Sequence, residues 1–69
     1  MTAHKPRLVW RFRGGDITAV ISFFLPDGSP AKDRLLLVSG RGGRASAVDE
    51  MSCLVNKAID EFQRELAAA

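Results

Sequence analysis

Between Arg7 and Arg13 the chain alternates, with Leu8, Trp10 and Phe12 on one side and Arg7, Val9, Arg11 and Arg13 on the other. A period of two is a strand signal. Gly14-Gly15 follows, and glycine supplies without strain the positive φ that a two-residue hairpin turn needs. A second alternating run spans Asp16 to Leu25. Ile17, Ala19, Ile21, Phe23 and Leu25 share one side; Thr18, Val20, Ser22 and Phe24 share the other. Its Thr, Val and Ile residues are stiff at χ1 and favour the extended state. Pro26-Asp27-Gly28 has turn chemistry: proline presets φ, aspartate bonds the local backbone and glycine takes the left-handed position. Pro30 argues against regular pairing just after it. A third strand is predicted over Arg34–Ser39, with Leu35 and Leu37 on one side and Leu36 and Val38 on the other.

Gly40-Arg41-Gly42-Gly43 breaks the chain, and the period then changes. Val48, Met51, Val55, Ala58, Ile59, Phe62 and Leu66 recur at spacings of three and four, which predicts an amphipathic helix from about Ser46 to about Leu66. Ser46 is placed to cap its start, and Asp49 and Glu50 in the first turn suit the helix dipole. About 20 helical residues span roughly 30 Å, and a strand of eight or nine residues spans about the same. The predicted fold is α+β: a three-stranded antiparallel meander followed by one long C-terminal helix packed on one sheet face.

A lone helix covers one face of a sheet only. The covered face is predicted to hold Trp10, Phe12, Ile17, Ile21, Phe23, Leu35 and Leu37. The opposite face is predicted to show Val9, Val20, Phe24, Leu36 and Val38, edged by Arg7, Arg11 and Arg13. Exposed apolar patches on small proteins mark interfaces, so these five apolar residues are the predicted protein-binding surface.

Length and composition sharpen that expectation. Sixty-nine residues, 46% hydrophobic and 26% charged, describe one globular domain over 1–69, with residues 1–6 expected to be flexible and 67–69 frayed. A core this small rarely supplies more than ~3–5 kcal/mol without a staple. Cys53 has no second cysteine to pair with, and His4 alone makes no metal cluster. Association is the remaining staple, so a homodimer or a tight complex with another protein is expected. A single cysteine and the lack of a signal peptide point to a cytoplasmic setting. Arg11 and Arg13 interrupt the first apolar run, and no stretch approaches the ~20 apolar residues of a membrane span.

The net charge of +2 is unevenly spread. Residues 1–44 hold eight basic and three acidic side chains, and residues 45–69 hold two basic and five acidic ones. Such a split steers anionic partners to the basic half and lets two copies attract. The stretch Gly40–Arg44 precedes a predicted helix N-terminus, where unpaired N–H groups favour anions. Arg11, Arg13, Arg41 and Arg44 are therefore the predicted anion- or partner-binding residues. The stretch is no Walker A loop, since no Lys-Ser/Thr pair follows its glycines. Trp10 lies opposite Arg11 and Arg13 by alternation, which favours a core role over base stacking.

Enzyme chemistry finds little support. Cys53 sits off the apolar stripe with no histidine on its helix to act as base. Asp49, Glu50, Asp60, Glu61 and Glu65 line a solvated helix face, not a dry pocket that would split their pKa values. No catalytic residue, metal site or cofactor is predicted.

The order from Ile17 to Ile59 is strand, Pro-Asp-Gly-Ser-Pro turn, strand, Gly-Arg-Gly-Gly, then a helix with Ala47, Met51, Leu54 and Ala58. It resembles the TSCPD-type domain found at the tail of vitamin-B12-dependent ribonucleotide reductases and as small free-standing proteins. Gly40, Arg41 and Gly43 match that family's motif step; the cysteines that name the family are absent, so no metal or thiol role is implied. The tail from Leu35 also resembles the last strand and helix of a double-stranded-RNA-binding domain, with Asp49 and Glu50 where that family carries lysines. In size and plan the chain is similar to small phage proteins that block host defence, such as anti-CRISPR inhibitors. The expected function is a non-enzymatic protein-binding module acting on itself or a larger partner. The alternative is a nucleic-acid binder using the basic strand half and the Gly40–Arg44 loop.

Overall fold

The computed structural model describes residues 4–68. Strands β1 (Arg7–Arg13), β2 (Asp16–Phe24) and β3 (Pro30–Val38) form one antiparallel sheet in the order β1-β2-β3. A single 3-10 turn at Gly40–Gly42 leads into the helix α1 (Arg44–Ala68). This is the α+β meander-plus-helix layout that the hydrophobic periods predict. The expected flexibility at 1–6 and fraying at 67–69 fall partly on residues 1–3 and 69, which lie outside the described residues.

Two turns set the register. Gly14 alone of the Gly14-Gly15 pair has positive φ (62°), the pattern of a II′ hairpin turn, and it brings Arg13 opposite Asp16. At the other end of β2, Gly28 takes φ 91°. The Ser29 N–H and hydroxyl both donate to Asp27 Oδ1, at 2.9 and 2.6 Å. Those bonds hold the Asp27 carboxyl below its ordinary pKa, and the turn is a side-chain-locked one.

The structure corrects the boundary of β3. The strand begins at Pro30 rather than Arg34. β3 is an edge strand, where a missing N–H is tolerated, and the ladder slips between Phe23 and Phe24 so that Pro30 pairs with Phe24 and Ala31 is skipped. The helix also starts earlier than expected. Gly43, at φ 100°, precedes it, and the Ala47 N–H donates to the Gly43 carbonyl at 3.1 Å. Ser46 therefore lies inside the first turn and does not cap, and Asp49 and Glu50 fall beyond that turn. The 25 residues of α1 run about 37 Å, longer than the roughly 30 Å of a nine-residue strand.

The core is one layer between helix and sheet. Ile17, Ala19, Ile21, Phe23 and Val38 meet Ala47, Met51, Val55, Ala58 and Phe62, all buried. Alanines at 19, 47 and 58 let the helix backbone come close to β2. Phe23 and Phe62 stack with ring centroids 4.5 Å apart. Outside this layer, Lys32 Nζ meets Glu65 Oε2 at 2.7 Å and Arg34 Nη1 meets Glu61 Oε2 at 2.6 Å. Both pairs are half exposed and individually weak, but together they tie one flank of α1 to β3. Lys32 also sits 5.7 Å from the centre of the Phe62 ring.

The 3-10 turn abuts the first hairpin. The Gly40 N–H donates to Asp16 Oδ1 at 3.3 Å, and a Cβ on Gly40 would overlap the Gly15 carbonyl oxygen. Gly40→Ala is therefore expected to destabilise the fold by roughly 1–3 kcal/mol through overpacking, read by urea unfolding. A second expectation concerns acid. Arg34 holds the Glu61 carboxyl below its ordinary pKa, so the unfolded chain takes up that proton first as pH falls. The stability this group contributes is present at neutral pH and fades as pH drops below about 4.3. Glu61→Gln should flatten the pH dependence of unfolding in that window; an unchanged slope contradicts the assignment.

Candidate protein interface

The register sorts every strand residue by side, because directly opposed residues in an antiparallel pair point the same way. On the helix side the rows are Phe12–Ile17–Val38, Trp10–Ala19–Leu36 and Leu8–Ile21–Arg34, with Phe23–Lys32 beyond them. On the outer side they are Arg11–Thr18–Leu37, Val9–Val20–Leu35 and Arg7–Ser22–Asp33.

This reverses the expected phase of β3. The sequence pattern puts Leu36 and Val38 on the open face; instead Val38 is 2% exposed in the core and Leu36 packs against that core. The same pattern puts Leu35 and Leu37 under the helix; they stand on the outer face, 67% and 68% exposed. The cause is the slip in the β2–β3 ladder: Phe24 pairs with Pro30 but Phe23 pairs with Lys32, so Ala31 is skipped and every later residue of β3 changes side. Unbroken pairing would set Leu35 opposite Ala19 and Leu37 opposite Ile17; with the slip Leu36 and Val38 take those places, and Lys32 and Arg34 turn toward the acids on α1. Val9 stays on the open face as predicted, 44% exposed, and Val20 and Phe24 on β2 are half-buried. The open surface is thus Val9, Val20, Phe24, Leu35 and Leu37.

A second uncovered strip lies on the helix side. Helix α1 packs over β2 and β3 and leaves β1 beside it. Phe12, expected beneath the helix, is exposed together with Leu8, and Trp10 is only half-buried. Trp10 and Phe12 have ring centroids 6.3 Å apart, and the Arg44 guanidinium sits 4.8 Å over the Phe12 ring. That contact offsets the poor placement of a cation at a helix N-terminus.

The four predicted anion-binding arginines do not form one cluster. Arg11 and Arg13 lie on the outer side of β1, Arg44 on the helix side over Phe12, and Arg41 in the 3-10 turn at that end. Arg7, outside the predicted set, joins Arg11 and Arg13 on the outer face. Alternation along β1 already carried that signal. Cys53 is exposed, and among the described residues no group of three or more His, Cys, Asp or Glu is arranged to hold a metal ion.

The molecule has more surface than its mass requires. A compact monomer of 7.5 kDa exposes about 4,200 Å²; this chain exposes 5105 Å². Its radius of gyration is 13.3 Å against about 11 Å for a compact chain of this length. Among the described residues, no helix is long and apolar enough to cross a membrane. No protein-family profile, curated protein or solved structure matches this chain.

Two aspartate substitutions check the phase of β3. Val38→Asp buries an unpaired carboxylate and should abolish folding; Leu37→Asp, one residue away, should shift stability by less than about 1 kcal/mol. Circular dichroism on both decides it, and a folded Val38→Asp protein contradicts the register.

Proposed function

We propose that the chain is a non-enzymatic protein-binding module whose open sheet face is its docking surface. The observation that carries this reading is the pair Leu35 and Leu37, two-thirds exposed side by side with Val9 above the half-buried Val20. Leaving these side chains in water gives up roughly 25 cal/mol for each Å² that a partner would cover. The centre of the patch is uncharged, while Arg7, Arg11 and Arg13 line its β1 border and Asp33 its β3 border. An apolar centre within a charged border is the anatomy of a protein interface. The side chains around it offer no activated nucleophile or paired acid and base, so the surface suits recognition rather than chemistry.

One observation favours a second reading. Arg7, Arg11 and Arg13 stand on the same side of one edge strand, the last two about 7 Å apart, a spacing that suits a run of phosphates. Nucleic acid bound this way would be released steeply by salt and would not need Leu35 or Leu37.

A photo-crosslinking amino acid at Leu35, compared with one at Asn56 on the exposed side of α1, separates the readings. In lysate of the native host, crosslinks to protein should form from position 35, persist after nuclease treatment and be scarce from position 56. Crosslinks that vanish with nuclease favour the arginine edge; equal yields from both positions remove the docking surface altogether.

A further inference from the structure

We infer that the occupant of the open face is a second copy of this chain, stacked sheet to sheet about a two-fold axis that runs along the strands. The inference rests on the protein-binding reading and adds a partner and a geometry. It comes from the three outer rows that cross all three strands; Arg13–Asp16 and Phe24–Pro30 lie beyond them at the two ends. Row one is Arg7–Ser22–Asp33, row two Val9–Val20–Leu35, row three Arg11–Thr18–Leu37. Positive charge lies on the β1 border of the first row and negative charge on its β3 border, about 10 Å away. Neither Arg7 nor Asp33 forms an ion pair with another described residue.

Stacked sheets lie about 10 Å apart with their strands within about 30° of each other. Two kinds of two-fold axis fit between them. An axis along the strands keeps each row opposite itself and sets β1 over β3 of the second copy. Arg7 then faces Asp33, Val9 faces Leu35, Val20 faces Val20, the alkyl stem of Arg11 lies over Leu37, and at the hairpin end Asp16 faces Asp16 with Arg13 beside each. Each contact between unlike residues occurs twice. An axis across the strands, through the central row, instead sets β1 over β1. It places Arg7 over Arg11 twice and presses Asp33 against Leu37. The first axis sets two attractive pairs against one like-charged contact, Asp16 over Asp16 beside Arg13 at the open hairpin end; the second sets two repulsive arginine pairs and no attractive one, so charge selects the first axis.

The area suits a weak association. Three strands at about 4.8 Å spacing and some 25–30 Å in length give each copy roughly 360–430 Å² to bury. That is less than a tenth of its 5105 Å² surface. The pair buries roughly 700–850 Å², the range of weak, transient contacts rather than of permanent ones. A weak dimer is the expected product, with a micromolar dissociation constant. The α1 helices lie on the two outer surfaces of the stack, so neither obstructs the other.

The test is a charge exchange between two chains. Arg7→Asp alone sets a new carboxylate over Asp33 at both symmetric positions, and Asp33→Arg alone sets a new guanidinium over Arg7 at both. Each variant, confirmed folded by circular dichroism, should dimerise at least about tenfold more weakly than the parent in sedimentation velocity. Mixed one to one, the two variants regain both attractive pairs. Native mass spectrometry should then show the heterodimer in excess over either homodimer, and Leu37→Asp in either chain should reduce it. A parent chain that remains monomeric at several hundred micromolar, or a mixture that associates no better than its components, overturns the inference. If that monomer still crosslinks other proteins from position 35, the docking surface stands and only the second copy falls. If it crosslinks nothing, both fall.

Discussion

The lateral position of one helix decides what this molecule leaves open. Lys32 and Arg34 alternate on β3 about 7 Å apart, and Glu65 and Glu61 sit four residues apart on α1, close to 6 Å. The two spacings match, so two ion pairs form in parallel along one flank. Each is weak in water. Together they hold one flank of α1 against β3. The Phe23–Phe62 stack lies just inside them and holds the helix on the same side with buried surface. Pulled toward β3, the helix cannot also cover β1. That displacement leaves Leu8 and Phe12 exposed on the helix side beside a half-buried Trp10, and a single helix leaves the outer face with no cover at all.

The elements are legible in the sequence because their periods are clean. β1 alternates apart from Val9, β2 alternates buried with half-buried residues, and the apolar stripe of α1 holds from Ala47 to Phe62. The phase of β3 is not legible from hydrophobicity. Leu35, Leu36, Leu37 and Val38 are four apolar residues in a row, and such a run reads equally well on either face. The deciding feature is the one-residue slip opposite Phe23 and Phe24, which no hydrophobic period announces. Lys32 and Arg34, two residues apart, then answer Glu61 and Glu65, four residues apart, as Leu36 and Val38 turn inward. Pro30 misleads in a related way. Proline argues against regular pairing in general, yet an edge strand tolerates it where a central strand would not.

The candidate site divides along the same lines. Val9, Val20 and Phe24 keep their expected side because β1 and β2 keep their expected phase. Leu36 and Val38 exchange places with Leu35 and Leu37, so the patch keeps its chemistry and shifts by one residue on one strand. The basic set splits because Phe12 and Arg13 are neighbours on opposite sides of β1, and Arg44 follows Phe12. A sequence sets such arginines together; an alternating strand separates them.

A bare sheet can associate through its edges or through its face, and this one is built against the first route. β1 carries arginine at 7, 11 and 13 along its free edge. β3 begins with proline and continues through Lys32, Asp33 and Arg34, with a ladder slip opposite its first residue. Charge, proline and irregular pairing are the devices that keep edge strands from recruiting further strands. The outer face has no such protection at its centre, where Val9, Val20 and Leu35 form an unbroken apolar row across all three strands. Its charges stand at the borders, with opposite signs on opposite sides. Charges arranged to keep neighbours away would share one sign. Opposite signs across an apolar centre instead fix the orientation of whatever docks there, and a copy of the same surface, turned about the strand direction, meets that requirement without any further change.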